Sequence, residues 1–230
     1  MNILAIETTD KSGSVALLSG DDLLLERILP STMRSAQTLA PTIDEILREL
    51  RLLPSDIGRV AVVIGPGSFT GLRVGVVTAK VFAYAVGAEI IGLSTFEVIA
   101  FSCDQAGESG LVSIGVDAQR GEVVVQDWSL ELSGNCCCLS DATMMMSVED
   151  WQQHSVKRNT EYSQNFTFAG PALRRFGSKF PATAKITDEN LFEPRAGTAA
   201  QLAKNKLPTS NVWTTTPIYS RPSAADEKRS

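Results

Sequence analysis

The apolar run Val60-Ala61-Val62-Val63-Ile64 leads into Gly65-Pro66-Gly67-Ser68-Phe69-Thr70-Gly71-Leu72-Arg73-Val74-Gly75, which opens a long apolar stretch ending near Val86. The order is strand, glycine-rich turn, helix, and it commits this part of the chain to an α/β arrangement. Glycine at such a turn reaches backbone angles closed to other residues. It also lets a phosphate or another backbone come close to the amides that open the helix. The stretch is not a P-loop, because no lysine follows its last glycine, and it is not a dinucleotide fingerprint. Gly65, Gly67, Ser68 and Thr70 remain candidates for a phosphate held by backbone amides.

The same stretch starts a second pattern. Gly71, Gly75, Ala79 and Ala83 recur every four residues, which places them along one helical face. A stripe of small residues admits another element at close range. The neighbour is either the chain's own helix near Ser35–Leu50 or a second protein. Leu72, Val76, Val77, Val81, Phe82 and Val86 make other faces of this helix apolar as well, so it has two faces to bury.

Around this unit the chain reads in order. Asn2–Glu7, Ser14–Leu18 and Leu23–Ile28 are short strands joined by the turns Thr8–Gly13 and Gly20–Asp22. Leu39, Ile43, Ile46, Leu47 and Leu50 then fall at helical spacing, with Ser35 as a possible cap and Pro41 inside the pattern. Glu89–Gly92 is a further strand, and Ser94–Cys103 a helix with Glu97 three residues after its cap. Strands then resume at Leu111–Val116, Val123–Trp128, Leu130–Leu139 and Asn165–Ala169, with short helices near Trp151, after Gly170 and over Thr198–Lys204. This is the order of an actin-like (ribonuclease-H-like, ASKHA) fold of two lobes, each a mixed sheet flanked by helices. The predicted lobes are 1–104 and 111–221, with 222–230 a disordered tail.

Composition narrows the function. The net charge of -5 argues against a chain that grips nucleic acid by itself. No segment approaches the roughly 20 apolar residues of a bilayer span, and the N-terminus lacks the basic start of a signal peptide, so a cytoplasmic location is expected. Cys103, Cys136, Cys137 and Cys138 lack paired zinc-type spacing, and His154 is the single histidine. A zinc site and a serine hydrolase triad are both disfavoured. The three consecutive cysteines read as reduced thiols, and Met144-Met145-Met146 as core or strand filler. Glu7-Thr8-Thr9 in the first hairpin could meet a nucleotide's phosphates and metal, or be turn residues alone. Asp117-Ala118-Gln119-Arg120-Gly121-Glu122 reads as a charged hairpin, since nothing else converges on its acids.

Four segments together carry a resemblance: Ile3–Thr8, the glycine stretch 65–75, Asp117–Val123, and Pro217-Ile218-Tyr219-Ser220-Arg221. They resemble the TsaB (YeaZ) family of glycoprotease-like proteins, densely over residues 1 to about 125. Arg34, Gln119 and Ser220 stand where the family pattern usually has other residues. The resemblance implies no catalytic and no metal-binding residues. It implies heterodimerisation with a TsaD-like catalytic paralogue, recruitment of a TsaE-like ATPase, and homodimers when the partner is absent. The assembly would use ATP, with none held tightly by this chain, and would meet tRNA through the complex to place threonylcarbamoyl on the adenosine beside the anticodon. The dimer surface it implies is the helix after the glycine stretch with the long helix before it, here Gly71, Leu72, Gly75, Ala79, Ala83, Ser35 and Leu39. Two readings from other classes stand beside it: an actin-like ATPase or phosphotransferase, and a metalloprotease.

Overall fold

In the computed structural model, residues 1–10, 12–30, 35–131, 135–140, 142–154, 166–209 and 211–221 are described. Arg34, the Ser35 side chain, Asn165 and the predicted tail 222–230 lie outside them. The chain forms two compact units: Met1–Val98 with Pro194–Ile218, and Ile99–Glu193 with Tyr219–Ser230.

In the first unit, β1 (Asn2–Glu7), β2 (Ser14–Ser19), β3 (Asp22–Ile28), β4 (Ile57–Gly65) and β5 (Glu89–Ser94) make one sheet in the order β3-β2-β1-β4-β5. β1 runs antiparallel to β2 and parallel to β4, and β4 runs parallel to β5. The central strands are apolar at nearly every position because both faces are covered. Leu4, Ile6, Val15, Leu17, Val60 and Val62 face the helices α1 (Ser35–Glu49) and α2 (Phe69–Val86). Ile3, Ala5, Ala16, Leu18, Ala61 and Val63 face Ala196, Ala199, Ala200 and Ala203 of α6 (Ala196–Ala203). α3 (Thr95–Gln105) carries the chain out of this unit.

The predicted boundary is therefore corrected. Pro194–Ile218, assigned from sequence to the second lobe, returns to the first and supplies its second helical layer. An alanine-rich helix of 8 residues is short and thin enough to lie close on the sheet. Arg59, buried at 8% exposure, holds its end: Nη1 donates to the carbonyls of Ala203 (2.7 Å), Lys204 (3.0 Å) and Lys206 (3.2 Å). Nε and Nη2 donate to Glu89 at 2.8 and 2.6 Å. The Ala203 carbonyl also accepts from the Lys206 amide at 3.3 Å, and the Lys204 and Lys206 carbonyls lie past the end of the helix. Arg59→Met, which keeps the bulk, is expected to lower stability by about 2–3 kcal/mol in urea unfolding.

The second unit repeats the strand order. β6 (Gly110–Asp117) lies between β7 (Glu122–Glu131), antiparallel, and β10 (Phe166–Ala169), parallel. β8 (Asn135–Cys138) and β9 (Met144–Ser147) follow each other along the other edge of β7. With β8 and β9 counted as one interrupted edge strand, third-second-first-fourth is the order in both units, and this duplicated mixed sheet is the actin-like arrangement the sequence predicts. A helix over 148–154, α4, brings Trp151 into the core, where its Nε1 donates to Ser113 Oγ at 3.0 Å. Phe168 and Phe180 meet its ring edge-on at 5.4 and 5.2 Å. A short helix α5 (Leu173–Phe176) closes this core. Met144 and Met146 pack against the same cluster, and Met145 points outward, as alternation along β9 requires. Burial, with the Glu108 carboxylate and Cys136 nearby, pushes the Cys103 thiol up to about 12. Cys103 is a packing residue.

One sequence expectation about α2 also changes. Its 18 residues are long and apolar enough to cross a membrane by length and composition. Packing explains that apolarity. Gly71, Leu72, Gly75, Val76, Ala79 and Ala83 are buried in the unit's own core, and Lys80 in mid-helix donates to the carbonyls of Trp213 and Thr215 at 2.8 and 2.9 Å.

Candidate partner interface on the second helix

The glycine stretch folds back on the first hairpin. Ser68 caps α2, its Oγ accepting from the Gly71 amide at 3.4 Å, and Gly87, at φ 72°, ends the helix in the left-handed region. The Ser68 amide donates to the Thr9 carbonyl at 2.7 Å. Thr8 Oγ1 donates to the Gly71 carbonyl at 2.8 Å, and Thr95 Oγ1 to the Pro66 carbonyl at 2.6 Å. Glu7 is fully buried and accepts from both the amide and the hydroxyl of Thr9.

These bonds show what the glycines are for. A Cβ at Gly71 would stand 1.9 Å from the Thr8 carbonyl oxygen, one at Gly75 2.1 Å from Thr8 Oγ1, and one at Gly67 2.5 Å from the Thr9 carbonyl oxygen. The stripe is the seat of the chain's own first hairpin. Gly71, Leu72, Gly75, Ala79, Ala83 and Leu39 are all buried, so they do not form a surface that a partner could reach. The glycine end of the stripe is filled by the end of β1 and its turn, 63 residues away for the Thr8–Gly71 bond, while Ala79 and Ala83 share a core with Leu39, Ile43 and Ile46 of α1, the helix considered from the sequence.

Of the phosphate candidates Glu7, Thr8, Thr9, Gly65, Gly67, Ser68 and Thr70, several are taken up by contacts within the chain. The amides of Ser68 and Gly71 are already engaged, and the groups facing them are oxygens: the Thr9 and Gly71 carbonyls and the Glu7 carboxylate. Gly65 is closed by the Ile218 carbonyl, 2.4 Å from where its Cβ would be. Ser68 and Thr70 are exposed beside the lock. Thr8→Val keeps the shape and deletes the bond to Gly71, and is expected to cost about 1 kcal/mol, read as a lowered urea midpoint.

What α2 does expose is a different flank. Val77 (58%), Val81 (54%) and Tyr84 (66%) lie one turn apart, and Trp213 (50%) stacks on Tyr84 with ring centroids 5.3 Å apart. Phe69 continues the row under the Arg73 guanidinium, 3.9 Å above its ring. Large apolar side chains aligned on one helix face, with aromatics at one end and a guanidinium at the other, have the composition of a protein interface. Sequence reasoning named Val77 and Val81 as apolar but missed Trp213 and Tyr84. Lys80, an apparent interruption in an apolar helix, was the sign that something crosses there.

The other candidates resolve as structural. Asp117 pairs with Arg175 at 3.0 Å and Glu122 with Arg221, so each acid of the charged hairpin is held by an arginine from elsewhere in the second unit. His154 Nε2 lies 2.6 Å from Asp127 Oδ2. Among the described residues no group of three or more His, Cys, Asp or Glu could hold a metal.

Fold and site together define an actin-like α/β protein with an apolar helix flank exposed and its first hairpin locked shut. The family model of TsaD, tRNA N6-adenosine threonylcarbamoyltransferase, matches residues 28–214, and the chain belongs to that family. It is 33% identical over 123 residues to the tRNA threonylcarbamoyladenosine biosynthesis protein TsaB of Bacillus subtilis, covering 54% of this chain and 53% of that one. It is 31% identical over 134 residues to TsaB of Escherichia coli, covering 58% of each. The chain thus spans about half the length of the curated relatives it matches. In fold it is similar to YeaZ from Pseudomonas aeruginosa, with a TM-score of 0.77 at 20% identity over 95% of this chain and 99% of that one. The TsaB resemblance read from the sequence holds.

Proposed function

We propose that this chain is a non-catalytic subunit in the biosynthesis of threonylcarbamoyladenosine in tRNA, acting in the cytoplasm by pairing with a TsaD-type catalytic paralogue. The observation that carries this is the exposed row Val77, Val81, Tyr84 and Trp213 on α2. It is joined by the relatives named for that biosynthesis. The TsaD-type subunit is the partner for that row, and a second copy of this chain is its substitute when the partner is missing. Recruitment of a TsaE-type ATPase belongs to the pair, which is where ATP and tRNA enter.

A separate catalytic role has little to work with. The acids that could take part, Glu7, Asp117 and Glu122, are engaged with Thr9, Arg175 and Arg221. The test is co-purification of the full chain with the TsaD-type subunit of the same organism, alongside calorimetry with ATP on the chain alone. A complex with the paralogue and no heat of ATP binding is expected. ATP turnover by the isolated chain would instead make it an actin-like ATPase.

A further inference from the structure

β3 is the outer strand of the first sheet, so its outward amides and carbonyls have no partner strand among the described residues. Between it and α1 runs a groove of about 610 Å3, walled by Glu26, Arg27 and Ile28 on one side and Gln37, Thr38, Pro41 and Glu45 on the other. The groove carries unused polar capacity. Thr38 is 7% exposed and its Oγ1 has no hydrogen-bond partner, and Arg27 Nε is likewise buried and unpartnered. Buried groups of this kind are uncommon, because each costs its lost hydration. Pro41 has no N–H, so the Gln37 carbonyl one turn back lacks its helical donor.

The charge balance is one-sided. Arg27 is paired with Glu49, and Arg48 with Asp44. Glu45 stays exposed with no ion pair among the described residues, while the Glu26 carboxylate turns to the other face of the sheet, where it accepts from the Gly197 amide. An open strand edge, donors waiting for a carbonyl, an acceptor waiting for an N–H, and an unpaired carboxylate on α1 together describe an extended peptide with a basic side chain.

We propose that this groove binds a basic extended segment of a partner protein, added as a strand beside β3. Its main chain would bond the outer edge of β3 and meet Arg27 Nε and Thr38 Oγ1. A lysine or arginine side chain would lie against Glu45. This surface is separate from the exposed row on α2 and does not depend on the pairing proposed above.

The experiment is a titration of the full 15N-labelled chain, followed by NMR, with a capped peptide of alternating lysine and valine and with its glutamate–valine counterpart. The basic peptide is expected to shift amides of Leu23–Ile28 and Gln37–Glu45. Glu45→Lys should weaken it by about tenfold, the scale of one close charge pair. Thr38→Val should weaken it while the melting temperature holds or rises, since an unbonded hydroxyl is being removed. Shifts centred elsewhere, equal binding of the acidic peptide, or indifference to both substitutions would overturn the proposal.

Discussion

Gly71→Ala is expected to cost the first unit about 3 kcal/mol or more, with the urea midpoint and melting temperature falling together. The added methyl would lie 1.9 Å from the Thr8 carbonyl oxygen. Both sides of that contact are backbone. Relief requires α2 to move off the end of β1, which also breaks the bonds Thr8 Oγ1 to Gly71 and Ser68 amide to Thr9. Gly75→Ala is the milder companion. Its methyl meets a side-chain oxygen, Thr8 Oγ1, at 2.1 Å, and that hydroxyl can rotate away at the loss of one hydrogen bond. The ordering Gly71 worse than Gly75, measured by circular dichroism, is specific to a backbone seat. A stripe that served a partner protein would give the opposite signature, with both variants stable and both defective in assembly.

The double substitution Val77→Glu with Val81→Glu is expected to leave the fold intact and to weaken pairing with the TsaD-type subunit at least about a hundredfold. Both side chains are more than half exposed, at 58% and 54%, so the free chain loses little apolar burial. Glutamate is also a better helix former than valine. In the complex the same positions would put two carboxylates into a desolvated apolar contact, and about 2.7 kcal/mol of lost binding is already a hundredfold. Calorimetric titration against the TsaD-type subunit, with a melting curve of each free chain, checks both halves. Normal melting with normal affinity would remove α2's outward flank from the interface.

Much of the first unit was legible because its signals are local. The apolar runs of Asn2–Glu7, Ser14–Ser19 and β4 and the glycine turn each declare themselves within about ten residues. The small-residue stripe was equally plain, and its meaning was misjudged for a physical reason. Spacing shows that something approaches α2 closely. It does not say what, and at the glycines the answer is the hairpin that ends β1, the strand beside β4. Two α2 faces were expected to be buried: the small one is sealed within the unit together with Leu72 and Val76, while Val77 and Val81 are exposed.

The rest was long-range. Ala196–Ala203 reads as a helix anywhere, but only long-range contacts, its alanines against Ala61 and Val63 and Arg59 on its C-terminal carbonyls, tie it to β4. Trp213 gave no periodic signal. It matters because Lys80 draws its carbonyl across α2 and sets its ring on Tyr84. Asp117–Glu122 read as a charged hairpin with nothing converging on its acids, and each acid is in fact paired with an arginine distant in sequence.

The central claim is that this chain serves threonylcarbamoylation by what it holds rather than by what it catalyses. Its most direct test is a reconstituted modification of unmodified tRNA, with threonylcarbamoyl donor synthesis supplied and the TsaD-type and TsaE-type proteins present. Modification is expected to require the wild-type chain, to fail when the chain is the only protein added, and to fall sharply with the Val77→Glu/Val81→Glu chain at limiting concentration, recovering as that chain is raised. Modification by the chain alone, or full activity of the double variant at limiting concentration, would contradict the account.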